Sequence, residues 1–264
     1  MKTVEHLFIL SIFSLSVHSL RADQLNVLGT ANSFAVLGAS TDTNTGSTVL
    51  NGDLGLYSGP SITGFPPGIV NGTIHNDDGV AMTAQADALT GYNDLKGFIS
   101  TDDLTGQNLG GLTLTPGVYS YDSAALLSGT NPVLTLNFSG LSNQSIVIQI
   151  GTTLTTASDS SVVTENAGLN DSIYWAVGSS ATLGTGTAFE GYLLANTSIT
   201  LTTDASINCG SAIALNGAVT MDTNTISSCQ VTSPSTVPEP ATLTLLATGL
   251  LGVSGIIRRR FTNS

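Results

Sequence analysis

The chain has 264 residues, 41% apolar and only 9% charged, so it can bury a large core and does not have the composition of a disordered segment. Lys2 and Arg21 lie near one end and Arg258, Arg259 and Arg260 near the other, and between Asp23 and Ser235 Lys96 is the one basic residue against 16 of the 18 acids. That distribution excludes nucleic acid and anionic membrane surfaces as partners, because both require clustered Lys and Arg.

Met1-Lys2 precedes an apolar run from Leu7 to Val17 and small residues at Ser19 and Ala22, the pattern of a secretory signal peptide over residues 1–22. Export permits a disulfide. A first strand is predicted over Leu28–Gly38, and a Thr-rich corner with an alternating strand follows over Thr43–Gly55. Tyr57–Gly72, broken by Pro60, Pro66 and Pro67, reads as loop. Asn76-Asp77-Asp78 is a helix-capping cluster, and the helix is predicted from about Asp78 to Lys96. Its Ala81, Ala84, Ala88, Tyr92 and Leu95 share one face, small enough to pack closely on a sheet wall.

Strands resume with Gly110–Tyr121, Val133–Phe138 and Ser145–Ile150. From Gly178 to Ser227 one short unit is then written three times. Its leading phrases are Ala181–Thr187, Ile199–Ala205 and Val219–Thr225, each apolar-Thr-apolar-x-Thr-x-Thr/Ala, with Thr182, Thr200 and Thr220 spaced 18 and 20 residues apart. That spacing means one turn of a solenoid. Within a unit, Ile199-x-Leu201, Ile207-x-Cys209 and Ile213-x-Leu215 are three short period-2 segments separated by turns at Thr203-Asp204, Gly210-Ser211 and Asn216-Gly217. Three strands per coil give a triangular section, and a residue repeated in successive coils becomes a ladder. A fourth copy, Thr153-Leu154-Thr155-Thr156, places Thr153 29 residues before Thr182, one coil plus an insertion around Glu165–Asp171.

Asn51-Gly52-Asp53-Leu54-Gly55, the Ala84–Lys96 segment, Gly111–Tyr119, Gln149–Thr156 and Gly178–Gly186, in that order, resemble the microbial ice-binding protein family across nearly all of Leu28–Ser228. The resemblance implies an all-β-dominated fold: a right-handed three-faced β-helix of irregular coil order with one α-helix packed alongside. It also implies adsorption to an ice crystal surface through a Thr-rich flat face, by a Thr-Ala/Gly-x-Thr/Asn motif. Thr45-Gly46-Ser47-Thr48 matches that motif fully, Thr156-Ala157-Ser158-Asp159 and Thr185-Gly186-Thr187-Ala188 at three positions, and the corners at Thr203 and Thr223–Thr225 less well. The ice-binding candidates are therefore Thr45, Thr48, Thr156, Ser158, Thr185, Thr187, Thr203, Thr223 and Thr225, with Asp159, Asp204 and Glu190 expected to interrupt flatness. A matrix or adhesion module of the same fold without ice activity is the alternative.

Catalysis is not expected, since a β-solenoid enzyme needs clustered acids with an Arg, Lys or His, and here His75 and the pairs Asp77-Asp78 and Asp102-Asp103 are separate features. No cofactor or metal is expected. Cys209 and Cys229 lie 20 apart, about one coil, and can close a disulfide, although Leu201–Ile207 is one residue longer than Met221–Ile226 and offsets their register.

Beyond a solenoid domain of residues 23–232, the linker Ser233–Thr236 leads to Val237-Pro238-Glu239-Pro240, an apolar run of 17 residues over Ala241–Ile257 and Arg258-Arg259-Arg260. The run is just long enough to cross a bilayer, with the arginines cytoplasmic. Pro-Glu-Pro, an apolar helix and an Arg cluster resemble the PEP-CTERM sorting signal of Gram-negative bacteria. That resemblance implies processing by an exosortase-type enzyme, transient membrane anchoring over residues 233–264, and delivery to the cell surface or an exopolysaccharide matrix.

Overall fold

The computed structural model of the protein describes residues 27–229. The expected signal peptide, and the linker and sorting tail from Ser233 onward, lie outside the described residues. By internal contacts the chain divides into Met1–Ser228 and Cys229–Ser264, and only Cys229 of the second unit is described.

The repeated triplets set the architecture of the first unit. In Ala181–Leu183 and Ile199–Leu201 the outer residues are buried and the central Thr points outward, as a period-2 strand requires. A three-residue strand cannot stand alone; here each pairs in parallel with its equivalents in neighbouring coils. The coils have three faces. One is a seven-stranded sheet in the order Ala125–Leu127, Leu154–Thr156, Ala181–Leu183, Ile199–Leu201, Val219–Asp222, Thr41–Thr45, Ser61–Thr63. The other two belong to a single 15-stranded sheet, because Ala188–Ala195 and Ser206–Ala214 run across the corner between them.

Coil order departs from chain order. Phe34–Gly38, Thr41–Thr45 and Val49–Asn51 stack on the three strands of the Ser206–Ser227 coil, so the N-terminal segment extends the C-terminal end of the stack. Asp53–Leu56, Ser61–Thr63 and Ile69–Val70 form the next coil, and Ile74–Asn76 the last strand. The chain must then reach the opposite end, where Asp102–Asp103 pairs with Gly117–Tyr121. The helix Gly79–Gly97 carries it there: 19 residues at 1.5 Å each span about 28 Å, the height of about six strand steps of ~4.8 Å.

Local chemistry fixes the ends of that helix. Asp78 caps it by accepting from the amides of Val80 and Ala81 at 3.0 and 2.9 Å, and His75 Nδ1 approaches the same carboxylate at 2.8 Å. The Ala81 amide and the His75 contact hold the Asp78 carboxyl below its usual range. At the other end Gln149 Nε2 donates to the carbonyls of Leu95 and Phe98 at 2.7 and 2.9 Å. Beneath the helix runs a continuous outward row, Ser120, Gln149, Ala176, Leu194, Ile213, Leu37, Gly55 and His75. Small helix residues allow close approach: a Cβ on Gly91 would lie 2.3 Å from the Val27 carbonyl oxygen. Inside the coils, Tyr119, Ile148, Trp175, Leu193, Ala212, Val36 and Leu54 stack as one inward row of the core. Trp175 Nε1 donates to the Glu190 carbonyl at 3.0 Å.

Four local expectations require correction. Leu28–Gly38 is not all strand: Gly29–Ser33 is a 3-10 turn, beginning at a left-handed Gly29 with φ 50°, and the strand starts at Phe34. Tyr57–Gly72 is not all loop, since Ser61–Thr63, between Pro60 and Pro66, and Ile69–Val70, after Pro67, pair as outer strands. The expected turn at Gly210-Ser211 is instead a bulge inside the nine-residue strand Ser206–Ala214, with Cys209 at φ 46°. In the fourth copy Thr155, not Thr153, stands opposite Thr182.

Candidate functional site: an outward threonine face

The seven-stranded sheet is the face that bears the sequence repeats. One outward position per coil lines up in register: Leu126, then Thr155, Thr182, Thr200, Thr220, Thr43 and Thr63. Six consecutive threonines at ~4.8 Å per strand make a row about 24 Å long. Thr43 Oγ1 meets Thr220 Oγ1 at 3.5 Å. Each β-branched side chain is restricted at χ1, which limits the positions open to its methyl and hydroxyl groups along the stack.

A second row runs along the edge of this face. Backbone bonds from Asp159, Gly186, Asp204 and Thr223 to the carbonyls of Thr185, Thr203, Asp222 and Thr45 align Ser158, Thr185, Thr203, Asp222 and Thr45. Thr202 Oγ1 bridges toward the row, 3.4 Å from Thr185 Oγ1. The chain then turns through left-handed residues stacked at the corner: Asp159, Gly186, Asp204, Thr223 and Gly46, with φ between 56 and 81°. Asp, Asn and Gly tolerate that conformation most readily, which explains the irregular Asp/Gly alternation in the repeats.

The expected binding residues therefore separate into groups. Thr45, Ser158, Thr185 and Thr203 are exposed and share the edge row. Thr48, Thr156 and Thr187 are a correction: they are 0, 3 and 0% exposed, and a side chain without surface cannot touch a crystal. They satisfy the corner instead. Thr156 Oγ1 and Thr187 Oγ1 lie 2.8 Å apart, Ser160 Oγ lies 3.1 Å from Thr187 Oγ1, and Thr48 Oγ1 accepts from the Asn224 amide at 3.0 Å. Thr223 occupies the left-handed corner with its hydroxyl turned onto Asp222, and Thr225 opens a strand on the third face, both off the main row. Thr182, Thr200 and Thr220 were visible as the spacing of the repeat, because the centre of an apolar-Thr-apolar triplet must point outward. Thr43 and Thr63 lacked that frame, since Asp42 and Asn44 flank Thr43 and Gly64 follows Thr63.

Charge on this face sits differently from expectation. Asp159 and Asp204 belong to the corner and Glu190 to the third face, where it accepts from the Thr164 hydroxyl. The outward carboxylate within the strands is Asp222. Asp42 points inward, in the row Ala125, Leu154, Ala181, Ile199, Val219, Asp42 and Ile62. It is fully buried with no well-formed hydrogen bond to either carboxyl oxygen, and burial, only partly offset by the Val219 and Gly38 backbone, pushes it up to about 8.

The remaining faces are built otherwise. The helix covers one. The third mixes Val133, Val163, Val49 and Ile69 with Glu165, Glu190 and an amide ladder in which Asn71 donates to Asn51 and Asn51 to Ser227, at 2.9 and 3.0 Å. Neither cysteine is a free thiol among the described residues. No helix of the described residues is long and apolar enough to cross a membrane.

Comparison with known proteins gives two family matches: the ice-binding-like family over residues 36–227 and the PEP-CTERM protein-sorting motif over residues 236–260. An ice-binding protein of Nostoc sp. (strain HG1) is 54% identical over 245 residues, covering 91% of this chain and 90% of that one. One from Flavobacterium frigoris (strain PS1) is 30% identical over 214 residues, covering 75% of each. Among solved structures, an ice-binding protein from an Antarctic biological consortium superposes with a TM-score of 0.71 at 45% identity, covering 76% of this chain and 89% of that one. The ice-binding protein of Antarctomyces psychrotrophicus gives 0.70 at 43% identity, covering 76% and 96%.

Proposed function

Because the chain belongs to the ice-binding-like family, we propose that it is an exported, non-enzymatic ice-binding protein that adsorbs to ice crystals through its threonine face. The observation that carries this reading is the row of six threonines, Thr155, Thr182, Thr200, Thr220, Thr43 and Thr63, held in register on a parallel sheet that no element of the described residues covers.

Ice presents a repeating array of weak sites, so affinity must come from many small contacts made at once. A stacked sheet supplies them at fixed spacing and with little side-chain entropy left to lose, so the contacts add along the row. Each Thr offers a methyl group that water can cage and a hydroxyl that anchors the cage. The edge residues Thr45, Ser158, Thr185 and Thr203 widen the row into a two-dimensional patch. Thr48, Thr156 and Thr187 act from beneath, fixing the corners that keep the patch rigid.

The sorting motif at 236–260 supports export and recognition by an exosortase-type enzyme. On this reading residues 1–22 are a signal peptide, 23–232 the ice-binding domain, and 233–264 a sorting segment that anchors the chain transiently before release to the cell surface or its matrix. Cys209 and Cys229 close a disulfide in the oxidising exterior, locking the C-terminal end of the repeats; the absence of free thiols supports this.

The reading is tested by slow directional freezing of the purified protein mixed with an inert protein of similar size. Enrichment in the ice fraction over the inert protein is expected. Equal exclusion of both from the growing crystal overturns the reading and leaves the non-adsorbing matrix module.

A further inference from the structure

We propose that Asp222 limits the ice affinity of this face by placing one pinned carboxylate within its edge row. This rests on the threonine face being the adsorbing surface. Asp222 takes the place between Thr203 and Thr45 in a row whose other members are Ser158 and Thr185, so all its neighbours along the stack are neutral hydroxyls. The side chain is half-buried and held: Oδ2 accepts from Thr203 Oγ1 at 2.5 Å and Oδ1 from Thr223 Oγ1 at 3.1 Å. Its own amide is fixed by Asn224 Oδ1 at 2.6 Å. The carboxylate therefore cannot swing off the patch when a crystal approaches.

Two consequences follow. An ionised carboxylate organises its hydration shell around the charge, and a lattice of fixed water orientation cannot supply that shell, so adsorption over Asp222 carries a desolvation cost. It also draws the Thr203 and Thr223 hydroxyl hydrogens toward itself, removing those donors from the outer face. Asp159 and Asp204 do not share this role. They stand in the left-handed corner, where a short polar side chain serves the turn.

The test compares the full-length protein with Asp222→Thr, Asp222→Asn and, on the third face, Glu165→Gln, with Thr200→Tyr as a measure of the face itself. Thermal hysteresis and enrichment in ice are read at equal concentration. Asp222→Thr is expected to raise both by about twofold or more, the scale of one desolvated charge leaving a multivalent patch. Asp222→Asn, which keeps the shape and removes the charge, should rise as well. Glu165→Gln should leave both readings unchanged, since it changes net charge by the same amount away from the face. If Thr200→Tyr abolishes activity while Asp222→Thr and Asp222→Asn leave it level or lower, the proposal is overturned although the face is correct. If Asp222→Thr rises and Asp222→Asn does not, charge is the wrong cause and the proposal also fails. Failure of the face itself has a different signature, Thr200→Tyr retaining full activity.

Discussion

Asp42 makes an unusual demand on this fold. It occupies an inward position whose neighbours along the stack, Val219 and Ile62, are apolar, and both of its carboxyl oxygens are buried without a satisfying donor. Its carboxyl is pushed up from 3.8 to about 8. Below pH 4 both folded and unfolded chains hold the proton, and the fold bears no ionisation cost. Between pH 4 and 8 the unfolded chain loses the proton while the folded chain keeps it, so stability falls as pH rises, and the slope ends near pH 8. At about 1.4 kcal/mol per pH unit, the interval from pH 5 to 8 corresponds to a loss of about 4 kcal/mol. Opening of the coil edge at Ser61–Thr63 would hydrate the group at lower cost, so a loss of ~2 kcal/mol or more is expected. Asp78, Asp87 and Asp103, held below the usual range by their hydrogen bonds, lose their contribution only as pH falls through the acid range and add no slope here. Urea unfolding at pH 5 and 8, on the protein and on Asp42→Asn, isolates the effect: the slope should appear in the first and vanish in the second. Equal slopes in both proteins, or stability rising toward pH 8, would refute the reasoning.

Three further outcomes follow from the same geometry. Gln149→Leu strips the Leu95 and Phe98 carbonyls of their buried donor and should cost about 1–3 kcal/mol, read as faster amide exchange in the last turn of the helix. Thr187→Val preserves shape but removes the hydroxyl that Thr156 and Ser160 share, leaving them the Gly184 amide and the Ala157 carbonyl; the thermal midpoint should fall, by an amount corresponding to ~1 kcal/mol. If the proposed Cys209–Cys229 disulfide forms, non-reducing thiol titration should find no reactive cysteine and reduction should lower stability by about 2–4 kcal/mol.

Much of the fold is legible because a solenoid repeats its signal. Spacings of 18 and 20 residues, apolar-Thr-apolar triplets and one capped alanine-rich segment define the coils, the outward ladder and the helix without reference to distant residues. Register was legible only where the triplets were regular, as at Thr182, Thr200 and Thr220. It was lost where the frame breaks: Thr155 slipped by two positions, and Thr43 was obscured by Asp42. Coil order was not written locally at all, since nothing in Phe34–Asn51 indicates that it stacks on the Ser206–Ser227 coil. The site was half legible. Corner motifs drew attention to Thr48, Thr156 and Thr187 because a turn that requires αL geometry and buried hydroxyls repeats as faithfully as a binding row does. Burial distinguishes them, and burial at a corner depends on one residue of phase.

Whether the threonine row meets ice is decided by thermal hysteresis of Thr200→Tyr against Val163→Tyr. Thr200 stands in the middle of the row and Val163 is exposed on the third face. A ring at Thr200 holds the crystal off the neighbouring threonines, so activity should fall to near baseline, while Val163→Tyr retains it. Full activity in Thr200→Tyr, or loss in Val163→Tyr with the fold intact, would place the ice-binding surface elsewhere on the molecule.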